Sequence, residues 1–142
     1  MNKIITIGLL IFLAIFYVIN SQKSIQIEGF YIVLPPSSKS ASGYGIIKNK
    51  SNKPDVLIGV SSDDATVMLH QTQIHSNMAN MVHHSKFSIN AGNSLILRPM
   101  SYHLMLTHIS KSARHSIKIK FEFKNAGIIE IKIPILDSHK YN

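Results

Sequence analysis

The sequence contains no cysteine. Disulfide bonds, thiolate nucleophiles and cysteine-ligated metal sites are therefore excluded, and so is the blue-copper type of electron-transfer site, which requires a thiolate ligand. Free thiols are consumed by disulfide formation in an oxidising compartment, so a metal carrier without cysteine keeps its ligands available there. The absence is equally compatible with a domain that simply needs no disulfide.

Acidic residues are also scarce, with 7 Asp and Glu against 15 Lys and Arg, which gives a net charge of +8 with neutral histidines. A hydrolase would need a nucleophile with its base, or an open metal site with a general base. Asp63 and Asp64 have no metal-ligand spacing to the histidines that follow, so no enzymatic activity is predicted. The lysines are dispersed, which argues against a nucleic-acid partner. A solvated lysine-rich face and docking to an acidic or membrane surface remain open.

The N-terminus predicts export. Lys3 precedes an uncharged run of 16 residues from Ile4 to Ile19, which is typical of a secretory signal and short for a membrane span. The segment Val18–Gln22 is a poor cleavage site, so residues 1–22 are interpreted either as a signal peptide or as a retained membrane anchor. Both interpretations place residues 23–142 in the periplasm or an equivalent extracytoplasmic space.

The remaining chain of about 120 residues has the length of one domain. It lacks convincing helical periodicity and instead shows short alternating runs that predict an all-β antiparallel sandwich or Greek-key barrel. The predicted strands are 25–34, 43–48, 56–60, 66–71, 94–98, 102–107, 116–123 and 128–135. Residues 124–127 predict a hairpin between the last two strands, and Pro35–Ser40 predicts a surface loop.

Four residues form the candidate metal site: His70, Met81, His103 and Met105. His103 and Met105 alternate with apolar residues on one predicted strand, so they share a face with Cα atoms about 6–7 Å apart. Met81 follows the His70 strand after a turn. Two thioethers and two imidazoles form a soft, neutral ligand set that suits Cu(I), whereas zinc prefers Cys, His or carboxylate. The alternative is that the methionines fill the core and the histidines are surface residues.

Other soft or imidazole side chains lie nearby in the sequence. Cu(II) prefers imidazole to thioether, so it would draw extra ligands from the loop around Met81. The candidates are Met78, His75, His83 and His84. Met68 shares the alternating face of His70 and is expected to pack there. The three remaining histidines, His108, His115 and His139, are expected to be ordinary surface residues.

Several segments together resemble the periplasmic copper chaperone family known as PCuAC. They are Gly59–Ser62, Met68–Thr72, Met81, the turn Asn90–Asn93, and Leu97–Leu106. The resemblance runs from about Ile25 to Ile135. It implies a cupredoxin-like sandwich that holds one Cu(I) and passes it toward the dinuclear copper site of cytochrome c oxidase subunit II or to another copper carrier. The family's ligands fall on His70, Met81, His103 and Met105.

Two departures from the family pattern stand out. Pro99-Met100-Ser101 replaces a Pro-Gly-Gly sequence, so a different turn is expected ahead of the ligand strand. A His- and Met-rich C-terminal extension is absent beyond Asp137–Lys140, so no second copper site is expected there. The sequence therefore predicts a monomeric, extracytoplasmic Cu(I) chaperone with no catalytic activity. The alternative is a metal-free β-sandwich module for adhesion or assembly.

Overall fold

The computed structural model describes residues 24–36, 38–76, 78–113 and 115–137. The predicted signal peptide or anchor, residues 1–22, lies outside them. The described residues form strands and turns without a helix, so none of them forms a helix that could cross a membrane. The ten strands are β1 (Ile25–Leu34), β2 (Ser40–Asn49), β3 (Asp55–Ser61), β4 (Thr66–His75), β5 (Met78–His84), β6 (Phe87–Ile89), β7 (Ser94–Leu97), β8 (Tyr102–Thr107), β9 (Ser116–Phe123) and β10 (Gly127–Asp137).

The strands hydrogen-bond in the order β5-β4-β8-β7-β2-β1-β10-β9-β3-β6, and β8 also pairs with β2. A short parallel pairing of Ile32–Leu34 with Ile135–Asp137 joins β1 to β10. It links one half of the sheet, from β5 to β1 in this order, to the other half, from β10 to β6. Apart from this contact and the β7–β8 pairing, neighbouring strands are antiparallel. The result is a nearly closed, barrel-like sandwich, and the all-β prediction is confirmed.

One apolar core fills the space between the two halves. Along β2 and β9 buried side chains alternate with more exposed ones, because successive side chains of a strand point to opposite faces. The rings of Phe30 and Phe121 meet edge to face across the core, with centroids 5.3 Å apart. Phe30 also lies directly against the backbone of Gly45, where an added Cβ would overlap its ring. Gly45 is therefore required by this close approach.

The predicted strand boundaries agree with the structure for β1, β8 and β9. The hairpin between β9 and β10 is also present; Gly127 takes a positive φ of 76°, and the buried carboxylate of Asp55 accepts hydrogen bonds from the backbone N–H groups of Asn125 and Ala126. Ser40 belongs to β2, so the predicted loop ends one residue earlier than expected.

Two strands were not predicted. β5 is exposed along most of its length, so its sequence carries no clear apolar alternation. β6 has only three residues. The prediction for β4 was also too short, because this strand continues to His75 and pairs along its whole second half with β5. This omission matters for function, since β5 forms one border of the candidate site.

Candidate metal centre

Three histidines lie in one row across neighbouring strands. In the antiparallel register of β4 with β8, His70 is directly opposite His103, and in the register of β4 with β5 it is directly opposite His83. The ring of His70 meets both others edge to face, with centroid distances of 6.0 Å to His103 and 5.7 Å to His83. Directly opposed residues share a face of the sheet, so the three imidazoles form a continuous row with His70 in the middle.

Each of the three strands also supplies a methionine to this face. Residues two apart on a strand point the same way, so Met105 accompanies His103, Met81 accompanies His83 and Met68 accompanies His70. Met68 and Met105 are directly opposite each other in the β4–β8 register. We refer to these six residues as the histidine–methionine face: Met68, His70, Met81, His83, His103 and Met105.

The histidine–methionine face points away from the core. The residues that alternate with it on β4 and β8 are the buried core residues Val67, Leu69, Leu104 and Leu106. Exposure rises across the face, from 6% for His103 on β8 to 63% for Met81 on the edge strand β5. One side of the face is therefore anchored in packed structure and the other side is open to solvent.

The four predicted ligands all lie on this face, but they are not equally close together. His70, His103 and Met105 occupy neighbouring positions on two paired strands. Met81 lies one strand farther away, on the opposite side of the histidine row from Met105. From ordinary strand spacing and rise, the Cα atoms of Met81 and Met105 are separated by about 16 Å in a flat sheet. Met81 can join an ion bound by Met105 if the exposed β5 bends over the face.

His103 is oriented by a backbone hydrogen bond. Its Nδ1 lies 3.0 Å from the carbonyl oxygen of Ser101, which also accepts a hydrogen bond from the N–H of Thr72. A carbonyl oxygen only accepts, so Nδ1 of His103 carries the proton. In the neutral ring, Nε2 therefore carries the lone pair that can bind a metal. Metal-ligating histidines are commonly oriented in this way, by a hydrogen bond from the other ring nitrogen.

His70 is held in the neutral form. Its pKa is lowered from the usual value of 6.5, first by burial and then by the nearby imidazoles of His103, His83 and His84. Its Nδ1 is buried and has no hydrogen-bond partner among the described residues. An unsatisfied buried nitrogen destabilises the fold, and a bound ligand would relieve that cost.

Within the described residues, no three side chains of the His, Asp and Glu types converge closely enough to hold a metal ion. The three imidazoles form a row and not a cluster. An ion at this face therefore needs methionine sulfur to complete its coordination, or a rotation of one imidazole. Thioether ligands select soft ions such as Cu(I).

The other candidates from the Met81 segment lie on the opposite face. Met78 is opposite His75 at the end of the β4–β5 hairpin, and both positions are an odd number of residues from the histidine–methionine face. His84 also faces the other way; its Nε2 lies 3.0 Å from Oε1 of Gln71, and its ring packs against Tyr102 at 5.5 Å. Of the extra ligands considered from the sequence, only His83 joins the face.

The remaining predictions about this region have mixed outcomes. His108 and His115 are exposed, as expected, and His139 lies outside the described residues. The turn before β8 contains a left-handed residue although Pro99-Met100-Ser101 has no glycine: Met100 takes a φ of 60°. The turn is closed by hydrogen bonds from the N–H of Ser101 to the carbonyl of Arg98 and from the N–H of Arg98 to the carbonyl of Tyr102.

The lowered pKa of His70 predicts how the metal-free fold responds to acid. The unfolded chain takes up this proton near pH 6.5, whereas the folded chain resists it, so stability is present above pH 6.5 and is lost as the pH falls below that value. We expect the melting temperature of the metal-free protein to fall as the pH is lowered below about 6.5. This pH-dependent fall in melting temperature should be shallower in His70→Gln than in the parent, and in the control His75→Gln it should be the same as in the parent. An unchanged slope in His70→Gln would contradict the assignment.

Comparison with known protein families identifies the family of this chain. Residues 25–135 match the model of the LpqE-like family, which is described as "Putative lipoprotein LpqE-like". The chain belongs to the LpqE-like family. This family is of the PCuAC type, so the resemblance noted in the sequence is confirmed at the level of the family. No curated protein matches the LpqE-like chain.

Solved structures similar to this LpqE-like chain include the copper-bound PCuAC domain from PmoF2, with 23% identity and a TM-score of 0.65 over 80% of this chain and 93% of that one. Apo-DR1885 from Deinococcus radiodurans is 22% identical with a TM-score of 0.60, covering 83% of this chain and 82% of that one. CuI-DR1885 from the same organism is 24% identical with a TM-score of 0.58, covering 75% and 74%. These likenesses establish the fold, and the cupredoxin-like prediction is confirmed.

Proposed function

We propose that this protein is an extracytoplasmic Cu(I) carrier without catalytic activity. It binds one Cu(I) on the histidine–methionine face through His70, His103 and Met105, with Met81 as the fourth ligand, and passes the ion to an acceptor protein. The observation that carries the proposal is the direct opposition of His70 and His103 on paired strands, with Met105 beside them on the same outward face.

The electronic character of these ligands suits Cu(I). Imidazole and thioether are neutral donors, and thioether sulfur is soft, so the set favours Cu(I) over Zn(II) or Mg²⁺. Both imidazoles are prepared for binding: His103 presents Nε2 because its Nδ1 is engaged, and His70 has a lowered pKa that keeps it neutral. Proton competition at His70 is correspondingly weak near pH 7.

The gradient of exposure across the face suggests how the ion leaves. Met81 is on the solvent-exposed edge strand, whereas His103 is buried. An acceptor ligand can therefore approach from the β5 side, forming its bond to copper as the Met81 sulfur–copper bond breaks. Subsequent replacement of Met105 and the imidazoles completes the transfer by ligand exchange, with no change in the oxidation state of the ion.

The comparisons support this proposal. Two of the similar structures are a copper-bound PCuAC domain and a protein in its Cu(I) form. The family description as a lipoprotein supports an extracytoplasmic location. Because the sequence has no cysteine to carry a lipid, we propose that residues 1–22 themselves act as a signal peptide or membrane anchor. We propose as acceptor the dinuclear copper site of cytochrome c oxidase subunit II or another copper carrier, with the protein acting as a monomer.

A competition titration tests the proposal. The purified protein, titrated with Cu(I) in the presence of the chelator bicinchoninate, should retain one Cu(I) per chain and bind it far more tightly than Zn(II). The zinc arm uses the same protein with a colorimetric zinc chelator. Complete loss of Cu(I) to bicinchoninate at every chelator concentration tested would refute the carrier function and favour a metal-free adhesion or assembly module.

A further inference from the structure

We propose that His83 supplies a third imidazole to the histidine–methionine face and thereby allows the protein to hold Cu(II) as well as Cu(I). The inference rests on the proposed function in one respect, namely that His70 and His103 bind copper. It adds a ligand from β5 that the four-residue set does not contain, and it adds an oxidation state that this set of two thioethers and two imidazoles disfavours.

The first argument is the position of His83. It is directly opposite His70, and their ring centroids are 5.7 Å apart. A metal–imidazole bond is about 2.0–2.1 Å long and the ring nitrogen lies about 1.1 Å from the ring centre, so two imidazoles on one ion have centroids at most about 6.3 Å apart. The distances from His70 to His83 and to His103 both fall within this limit.

The second argument is that three imidazoles from adjacent strands can meet above the middle strand. Neighbouring strands are about 4.8 Å apart, so the Cα atoms of His83 and His103 are separated by about 10 Å in a flat sheet. An ion above His70 is within reach of an imidazole from each side, since a histidine places its Nε2 about 4.5 Å from its own Cα and the metal bond adds about 2 Å. The row becomes a cluster when an outer ring leans inward over His70.

The third argument concerns which ring can move. His103 is buried and fixed by its bond to Ser101, whereas His83 is exposed on the edge strand. The rotation that turns the row into a cluster therefore falls on His83, whose side chain is not enclosed by packing. Between the two, the buried Nδ1 of His70 has no hydrogen-bond partner among the described residues, which is a second observation in favour of a ligand at this row.

The fourth argument is the chemistry of the two oxidation states. Cu(II) favours nitrogen and oxygen ligands in a tetragonal arrangement, whereas thioethers select Cu(I). His83, His70 and His103 supply three nitrogens for Cu(II), and water can take a further position on the open side. Met105 and Met81 become the preferred partners when the ion is Cu(I). The same face then serves both states by exchanging sulfur for nitrogen.

The test compares His83→Gln with His84→Gln in the full-length protein. His84 is the matched control because it is adjacent on β5 and faces the other way. Cu(II) affinity is measured by competition with glycine, coordinated imidazoles are counted by pulsed electron paramagnetic resonance, and Cu(I) affinity is measured against bicinchoninate. We expect His83→Gln to lower Cu(II) affinity at least about tenfold and to reduce the imidazole count from three to two, with Cu(I) affinity changed less than about twofold. His84→Gln should behave as the parent.

Two other outcomes are informative. Unchanged Cu(II) affinity and imidazole count in His83→Gln would overturn the inference, whatever the Cu(I) results. If the parent binds Cu(II) through three imidazoles, and His83→Gln removes one of them, the inference stands even when the parent fails to retain Cu(I). That second result would refute the proposed Cu(I) carrier function alone, so the two failures are distinguishable.

Discussion

The variant carrying both His70→Ala and His103→Ala should lose at least about 100-fold in Cu(I) affinity. These two imidazoles are the ligands that the fold places directly opposite each other, with ring centroids 6.0 Å apart. Removing them leaves only thioethers from the proposed ligand set, and those sulfurs lie on different strands. The loss should be seen as complete transfer of the ion to bicinchoninate at concentrations where the parent retains it.

The pH dependence of the same variant gives an independent readout. Binding by imidazole competes with protonation, whereas a thioether has no proton to lose, so the affinity of the parent should fall on acidification. The lowered pKa of His70 shifts its share of this fall below pH 6.5. The double variant should bind weakly and with little pH dependence between about pH 5 and 7.5. A steep pH dependence of Cu(I) affinity in the double variant would show that another imidazole contributes to Cu(I) binding. His83 is the first candidate.

Two controls keep this experiment interpretable. His75→Ala combined with His115→Ala removes two exposed histidines outside the histidine–methionine face and should leave Cu(I) affinity unchanged. Because His103 is buried and bonded to Ser101, the double variant also needs a thermal unfolding measurement of the metal-free protein. A cooperative transition in that measurement shows that lost affinity reflects lost ligands and not an unfolded chain.

The predictable part of the site was the part carried by buried strands. On β8 the alternation of Leu104 and Leu106 with His103 and Met105 fixed both the strand and its outward face, because the core demands apolar residues at every second position. The same reasoning placed His70 opposite in direction to Val67 and Leu69. Local periodicity therefore identified three of the proposed ligands and their common orientation.

The contribution of β5 was not predictable in the same way. This strand has exposed residues on both faces, so nothing in its sequence distinguishes the direction of His83 from that of His84. The distinction comes from the register with β4, and a shift of one residue would exchange the two histidines between faces. A register is a property of two strands and their turn, so the sequence of the Met81 segment alone does not distinguish its histidines.

Register also explains what the sequence could not say about Met68. Its position two residues before His70 indicates its face, but its direct opposition to Met105, 37 residues later in the sequence, depends on the pairing of β4 with β8. The face consequently offers three thioethers, two of them opposite each other and one on the exposed edge strand. All three point the same way, so substitutions of the individual methionines are needed to identify the sulfurs that bind copper.

Among the methionines, Met105→Leu should have the largest effect, with a fall in Cu(I) affinity of at least about tenfold. Met105 is beside His103 on β8 and diagonal to His70 across the strand pair, so its sulfur is near both imidazoles. Leucine has nearly the same volume and is also apolar, so the substitution should cost less than about 1.5 kcal/mol of stability. Lost affinity in a stable variant then reports the missing sulfur.

Met81→Leu should lower Cu(I) affinity by less than Met105→Leu, because Met81 binds only when the exposed β5 bends over the face. Met78→Leu is its matched control: Met78 is on the same strand with a similar exposure, 67% against 63%, but faces the other way. The Cu(I) affinity of Met78→Leu should equal that of the parent in the bicinchoninate competition.

Two results would change the assignment of the sulfur ligands. If Met105→Leu binds Cu(I) as the parent does, Met105 is a packing residue. If Met68→Leu lowers the Cu(I) affinity and Met81→Leu does not, the fourth ligand comes from β4, directly opposite Met105.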